Sequence, residues 1–210
     1  MTRQEIKIWS KEKLKGNLWS VLGAILISNL IGNVAVSISN NEEEVAFSQK
    51  VSEESITELV NKKNLYPLTK NEKILVVFPK IKVVTLVEDE NKNLMSLFDF
   101  MSIPTDRHYI SIDPTKEEQD ELLAKIDQYD KIVYCSYNAC FNPTQAELIN
   151  NIDSSKLIVC AIRTPYDIRV LPNVQAYICS YEATPLSLAS LAKVLTGEIK
   201  AQGVLPVKLN

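Results

Sequence analysis

The chain has 210 residues, 46% of them apolar and 23% charged, with a formal net charge of −3. That balance is the mark of a globular protein rather than a disordered one, with room for one ordinary domain and an appendage. The charges are dispersed, which argues against a surface built for nucleic acid. Only five glycines are present, with no G-x-G-x-x-G or Walker pattern, so a glycine-rich phosphate loop is excluded too.

The opening differs from the rest. Arg3, Lys7, Lys11, Lys13 and Lys15 form a basic flank, and no charged residue follows between Asn17 and Asn41. The centre of that stretch, Leu18 to Ile38, is 21 residues long, and a bilayer span needs about 20. Lysines before it and Glu42–Glu43–Glu44 after it place the N-terminus in the cytoplasm, with Trp19 at the interface. Three readings stand: a signal anchor, a signal peptide cleaved near the small residues Val34 to Ser37, and a helix packed on the domain that follows. Ser28, Asn29, Asn33 and Ser37 keep the last one open, because a polar side chain in hydrocarbon must find a partner. The expectation for residues 1–41 is a membrane-directed segment, giving an anchored or exported protein, with a cytoplasmic one as the alternative.

From residue 42 helical and extended patterns alternate. Val45, Phe47, Val51, Ile56, Leu59 and Val60 have helical spacing and predict a linker helix and loop over 42–72. KILVVFP (73–79) is a continuous apolar run, as in a strand buried on both faces. Residues 81–89 extend it or form a second strand, 93–101 read as a short helix, and 107–113 as a strand. Pro114 opens a helix with Glu117 and Glu118 in its first turn. Residues 131–137, 156–162 and 174–181 are strands, and 143–151 and 185–195 are helices, the last stopped at Gly197. VLPVKL (204–209) is expected as a closing edge strand. This order predicts an α/β fold over 73–210, a three-layer α/β/α sandwich with a mostly parallel sheet.

Little in the chain promises chemistry. Cys135, Cys160 and Cys179 lie in apolar runs and read as core thiols, and Cys140 has no base beside it. The single histidine, His108, is far from all four in sequence, so neither a metal site nor a cofactor is expected. Glu88, Asp89 and Glu90 form a carboxylate run, which is most often a solvated loop. Four cysteines without a disulfide scheme sit uneasily with export.

The segments YDKIVYCSYNACFNPTQAELIN and KLIVCAIRTPYDIRVLPNVQAYICSYEATPLSLASLAKVLTGEIKAQGVLPVKL resemble the C-terminal domain of family 3 glycoside hydrolases, nearest to the Gram-positive β-N-acetylglucosaminidase branch. The resemblance is carried by R-x-P-Y-D (Arg163, Pro165, Tyr166, Asp167), by Tyr181 and Thr184, and by Leu195, Gly197, Glu198, Gly203, Leu205, Pro206 and Val207. Upstream, SEESITELVNKKNLYPLTKNEKILVVFP is similar to the family's linker helix and first strand. The resemblance implies that the nucleophile and a His–Asp acid/base dyad belong to an N-terminal (β/α)8 barrel, for which the residues before position 42 are too few. It therefore implies no catalytic residue here. Arg163, Tyr166, Asp167 and Asn138 are candidates for sugar or domain-interface contacts, with Arg163 and Asp167 read as a pair. The expected function is a non-catalytic or partner-dependent domain linked to cell-wall amino sugars, with a barrel-bearing chain or cell-wall sugar as partner. Half of a split β-N-acetylglucosaminidase and a degenerate fragment are the alternatives.

Overall fold

The computed structural model describes residues 42–81 and 95–209. The apolar segment 18–38, most of the 81–89 stretch and the Glu88–Asp89–Glu90 run lie outside these residues. The chain falls into two compact units, Met1–Ser48 and Gln49–Asn210. Of the first, only the opening turns of one helix are described. No described helix is long and apolar enough to cross a membrane.

The second unit is built on a six-stranded sheet. Its elements are helix α1 (Glu42–Ser55), which begins in the first unit, β1 (Thr57–Asn61), β2 (Ile74–Pro79), β3 (Asp106–Ile110), α2 (Lys116–Leu123), β4 (Lys131–Ser136), α3 (Pro143–Asn150), β5 (Leu157–Ala161), β6 (Ala176–Cys179) and α4 (Pro185–Leu195). The spatial order is β1-β6-β5-β4-β2-β3. All neighbours run parallel except β1, which pairs antiparallel with β6. The expected mostly parallel sheet is thus present.

Central strands read as unbroken apolar runs because both faces are covered. Ile74, Val76, Phe78, Val133, Cys135, Ile158 and Cys160 face one core, filled from the other side by Leu188, Leu191 and Leu195 of α4. The alternate residues Leu75, Val77, Ile132, Tyr134, Leu157 and Val159 face a second core, with Leu122 of α2 and Leu148 and Ile149 of α3. Period-two alternation along the strands divides the two cores.

Three sequence expectations need correction. Within 42–72, expected as a linker helix and loop, the helix stops at Ser55, and Leu59 and Val60, read in its spacing, lie in strand β1. Ile56 and Thr57 are β-branched, and pairing with β6 outweighs helical continuation. Of the six apolar positions read as one helical face, Val45, Phe47 and Val51 are exposed. The short helix over 93–101 is one 3-10 turn, Leu97–Asp99, tied by the Ser96 N–H and hydroxyl to the Asp99 carboxylate at 2.8 and 2.9 Å. Residues 204–209 form no strand. The Gly203 N–H reaches the Ile56 carbonyl at 2.9 Å, but Pro206 has no N–H to give, and the Leu209 carbonyl accepts from Arg169 Nε at 3.3 Å.

Two glycines of the C-terminal motif have clear reasons. Gly197 has φ +77° and closes α4, where the Gly197 N–H bonds to Val194 and the Glu198 N–H to Lys193. These are the two bonds of a Schellman cap. At Gly203 the backbone passes so close to the end of α1 that a Cβ would run into the Ser55 carbonyl and the Thr57 hydroxyl.

Candidate functional site at the carboxyl end of the sheet

The chain leaves β2 for β3 on one side and then crosses to β4 on the other, with β5 and β6 beyond. The carboxyl ends of β2 and β4 therefore flank the topological switch point, where open α/β sheets bind their ligands. Two buried polar side chains lie at this end, each joining the loops of two strands.

Asp167 is the centre of the first junction. It lies in the 3-10 turn Pro165–Val170 after β5 and is fully buried. The Ser136 hydroxyl, at the end of β4, donates to Asp167 Oδ2 at 2.8 Å, and the Cys140 N–H donates to Oδ1 at 3.0 Å. Burial first, and then a bond from the thiol to Asp167, push the Cys140 thiol up to about 11. The Thr164 side chain caps the turn by accepting from the Tyr166 N–H, and the Tyr177 hydroxyl donates to the Pro165 carbonyl at 3.2 Å.

Gln145 makes the second junction. It is fully buried on α3. Its Oε1 accepts from the Tyr137 N–H at 3.0 Å, just past β4, and its Nε2 donates to the Ile112 carbonyl at 2.7 Å, just past β3. One side chain thus braces the exits of the two strands that flank β2. Toward the β1 flank of the sheet, Tyr181 adopts φ +65° after β6, and its hydroxyl donates to Thr57 Oγ1 at 2.8 Å.

Against this geometry the four candidate residues separate. Asp167 is an internal brace with both oxygens engaged. Arg163 and Asp167 do not pair: Arg163 is exposed and has no hydrogen-bond or ion-pair partner among the described residues. The 3-10 turn that begins at Pro165 sends the carboxylate inward, while Arg163 lies outside it. The Tyr166 ring lies 4.6 Å from the Arg169 guanidinium, a cation–π contact. Asn138 takes the left-handed conformation at φ +55°, and its carbonyl accepts from the Phe141 N–H and the Asn142 side chain. His108 is on edge strand β3, with Nδ1 2.7 Å from Lys125 Nζ. No hydrogen bond joins it to Cys140. Among the described residues no three His, Cys, Asp or Glu side chains converge as a metal site would require.

Sequence reasoning missed Gln145 and Ser136. Gln145 had a legible signal, because Gln145, Leu148, Ile149 and Ile152 follow the i, i+3, i+4, i+7 spacing of one buried helix face. Ser136 had none.

No protein-family profile and no curated protein matches the chain. Solved structures do. A glycoside hydrolase family 3 β-N-acetylglucosaminidase from Paenibacillus sp. FPU-7 is 34% identical over 80% of this chain, with a TM-score of 0.72, and the match covers 33% of that enzyme. A fungal multi-domain β-N-acetylglucosaminidase of the same family is 24% identical over 80% of the chain, with a TM-score of 0.65, and the match covers 19% of it. A β-glucosidase from Listeria innocua shares the fold, at 15% identity over 76% of the chain, a TM-score of 0.58 and 26% of its own length. The fold is that of an α/β domain found within larger glycosidases. The chain's sheet domain resembles the C-terminal domain of glycoside hydrolase family 3 enzymes. It spans about a third of the length of the Paenibacillus enzyme.

Proposed function

We propose that this domain is the non-catalytic, partner-dependent part of a family 3 glycoside hydrolase that handles β-linked N-acetylglucosamine, and that the reacting carboxylates are supplied by a barrel-bearing chain. The observation that carries this reading is the match to one third of a β-N-acetylglucosaminidase at 34% identity. The braced loops support it. Glycoside hydrolysis needs two carboxylates flanking the scissile bond, and Asp167, the carboxylate of the R-x-P-Y-D motif, is buried with both oxygens bonded internally.

The test is release of chromophore from a chromogenic β-N-acetylglucosaminide by the purified chain. Background release is expected from the chain alone, and turnover once a barrel-bearing chain from the same organism is added. Turnover by the chain alone that disappears in Glu88→Gln or Asp89→Asn would overturn the non-catalytic reading.

In the same reading, residues 18–38 direct the chain to a membrane, as their length and their flanking charges suggest. On cell fractionation the full chain is expected in the membrane pellet, and a variant without residues 1–41 in the supernatant. Recovery of the full chain in the supernatant would remove this part of the proposal.

A further inference from the structure

Edge strand β3 pairs on one side only, with β2. Three side-chain ties also join it to the stretch from α2 to Tyr129. At its start the Tyr129 hydroxyl donates to Asp106 Oδ2 at 2.9 Å. Just past its end the Ser111 hydroxyl donates to Glu118 Oε1 at 2.8 Å. In its middle the partly buried His108 meets Lys125 Nζ at 2.7 Å through Nδ1.

The middle tie admits one protonation state. A lysine ammonium only donates, so His108 Nδ1 must accept, and the ring is neutral with its proton on Nε2. A second proton removes that acceptor and sets an imidazolium against the ammonium. Lys125 has somewhere else to turn, because Glu121 Oε1 lies 3.3 Å away on α2. Protonation therefore exchanges a bond between strand and helix for one within the helix. The other charged groups facing the ring are Lys80, after β2, and Glu118, on α2, with Asp106 two residues along the strand. Burial first, and then Lys125 with help from Lys80, hold the imidazole below its ordinary value of 6.5, against the opposing pull of Glu121 and Glu118.

The tie at Ser111 behaves differently. Burial works against the Glu118 carboxylate, but bonds from Ser111, Lys80 and the Thr115 N–H hold its carboxyl below the ordinary value. It stays charged in mild acid, where histidine is the side chain that titrates, and His108 is the one histidine of the chain.

We propose that the His108–Lys125 bond is an acid-released latch on edge strand β3, closed while the imidazole is neutral and open once it is protonated. The unfolded chain takes up this proton near 6.5 and the folded chain only at lower pH. The latch is therefore fully stabilising above 6.5, and its contribution is lost as pH falls from there through the folded value.

The experiment uses the full chain, isotopically labelled and held in a neutral detergent, from about pH 7.5 to about pH 5. The ring resonance of the sole histidine gives the protonation midpoint. Hydrogen exchange over residues 106–110, read by mass spectrometry and corrected for the intrinsic pH dependence of exchange, gives the protection of β3, with β5 as internal control. A midpoint below 6.5 is expected, with β3 losing protection over the same interval while β5 keeps its own. His108→Asn retains an acceptor but no titration, and should keep β3 protected throughout. Lys125→Met removes the ammonium, so the midpoint should rise and β3 should exchange freely even at neutral pH. A wild-type midpoint at or above 6.5, β3 protection that ignores the titration of His108, or acid loosening that persists in His108→Asn would each refute the latch. Should His108→Asn fail to fold, Lys125→Met decides: a raised midpoint supports the latch, and an unmoved one sinks it.

Discussion

Asp167→Ala is expected to destabilise the sheet domain by about 2–4 kcal/mol, because it strands a buried hydroxyl and a part-buried N–H at once. The Ser136 hydroxyl and the Cys140 N–H both lose their acceptor. For a domain of this size that loss lowers the melting temperature by on the order of 10 °C. Asp167→Asn keeps the volume and one acceptor oxygen, so about 1–3 kcal/mol is expected of it. Equal melting of the two variants would mean that the second acceptor oxygen and the charge, which both variants lack, rather than packing, are what Asp167 contributes. A chemical readout accompanies the thermal one. The Cys140 thiol sits at about 11 through burial and the bond to Asp167. Its reactive thiolate is therefore scarce at neutral pH and grows about tenfold per pH unit until that value is reached. In Asp167→Asn the carboxylate is gone, the thiol moves down toward its ordinary value of 9.0, and alkylation by iodoacetamide at pH 8 speeds up. Cys135, Cys160 and Cys179 are buried, so labelling located by mass spectrometry reports Cys140 alone while the chain stays folded. An unchanged labelling rate in the variant would show that Asp167 does not hold the thiol.

Gln145→Leu is expected to cost about 2–5 kcal/mol, read as a lower urea midpoint with an unchanged slope. Leucine matches the apolar neighbours of that helix face, Leu148 and Ile149, so a packing argument alone would expect little change. The loss comes instead from two part-buried backbone groups, the Tyr137 N–H and the Ile112 carbonyl, which are left without their partner. Gln145→Glu keeps the acceptor for Tyr137. Protonated, its O–H can still donate to the Ile112 carbonyl, whereas ionised it sets a carboxylate against that carbonyl. Its urea midpoint should therefore lie nearest the wild type at acid pH and fall as pH rises. A leucine variant as stable as the wild type would show that neither bond contributes net stability.

The strands that make the core were legible because each is buried on both faces, so its apolar run is continuous and short. The closing helix was legible at both ends, from Pro185 and from Gly197. Strand β1 was not. Only its first residue is buried, and Leu59 and Val60 happen to continue the spacing of the preceding helix, so period and composition both pointed the wrong way. The tail misled for the opposite reason. Its composition suits a strand, but the one ladder-like bond it makes is at Gly203, and Pro206 stops the pairing. At the candidate site the motif marked the right loop, but residue types could not tell which side chain turned inward. Arg163 and Asp167 look like an ion pair in sequence, whereas the 3-10 turn between them commits the carboxylate to β4.

Strand β1 also bears on how this domain is handled. Its antiparallel pairing covers the flank of β6, whose four residues Ala176, Tyr177, Ile178 and Cys179 are all buried. Without it that flank would be an apolar row of unpaired amides and carbonyls, a template for sticking to another copy of the sheet. The outer flank of β1 is a poorer template, with exposed Glu58 and an irregular register between Glu58 and Val60. An expression boundary drawn at the first parallel strand, where the sequence pattern of the sheet begins, would discard this guard and invite aggregation. One drawn ahead of α1 keeps it.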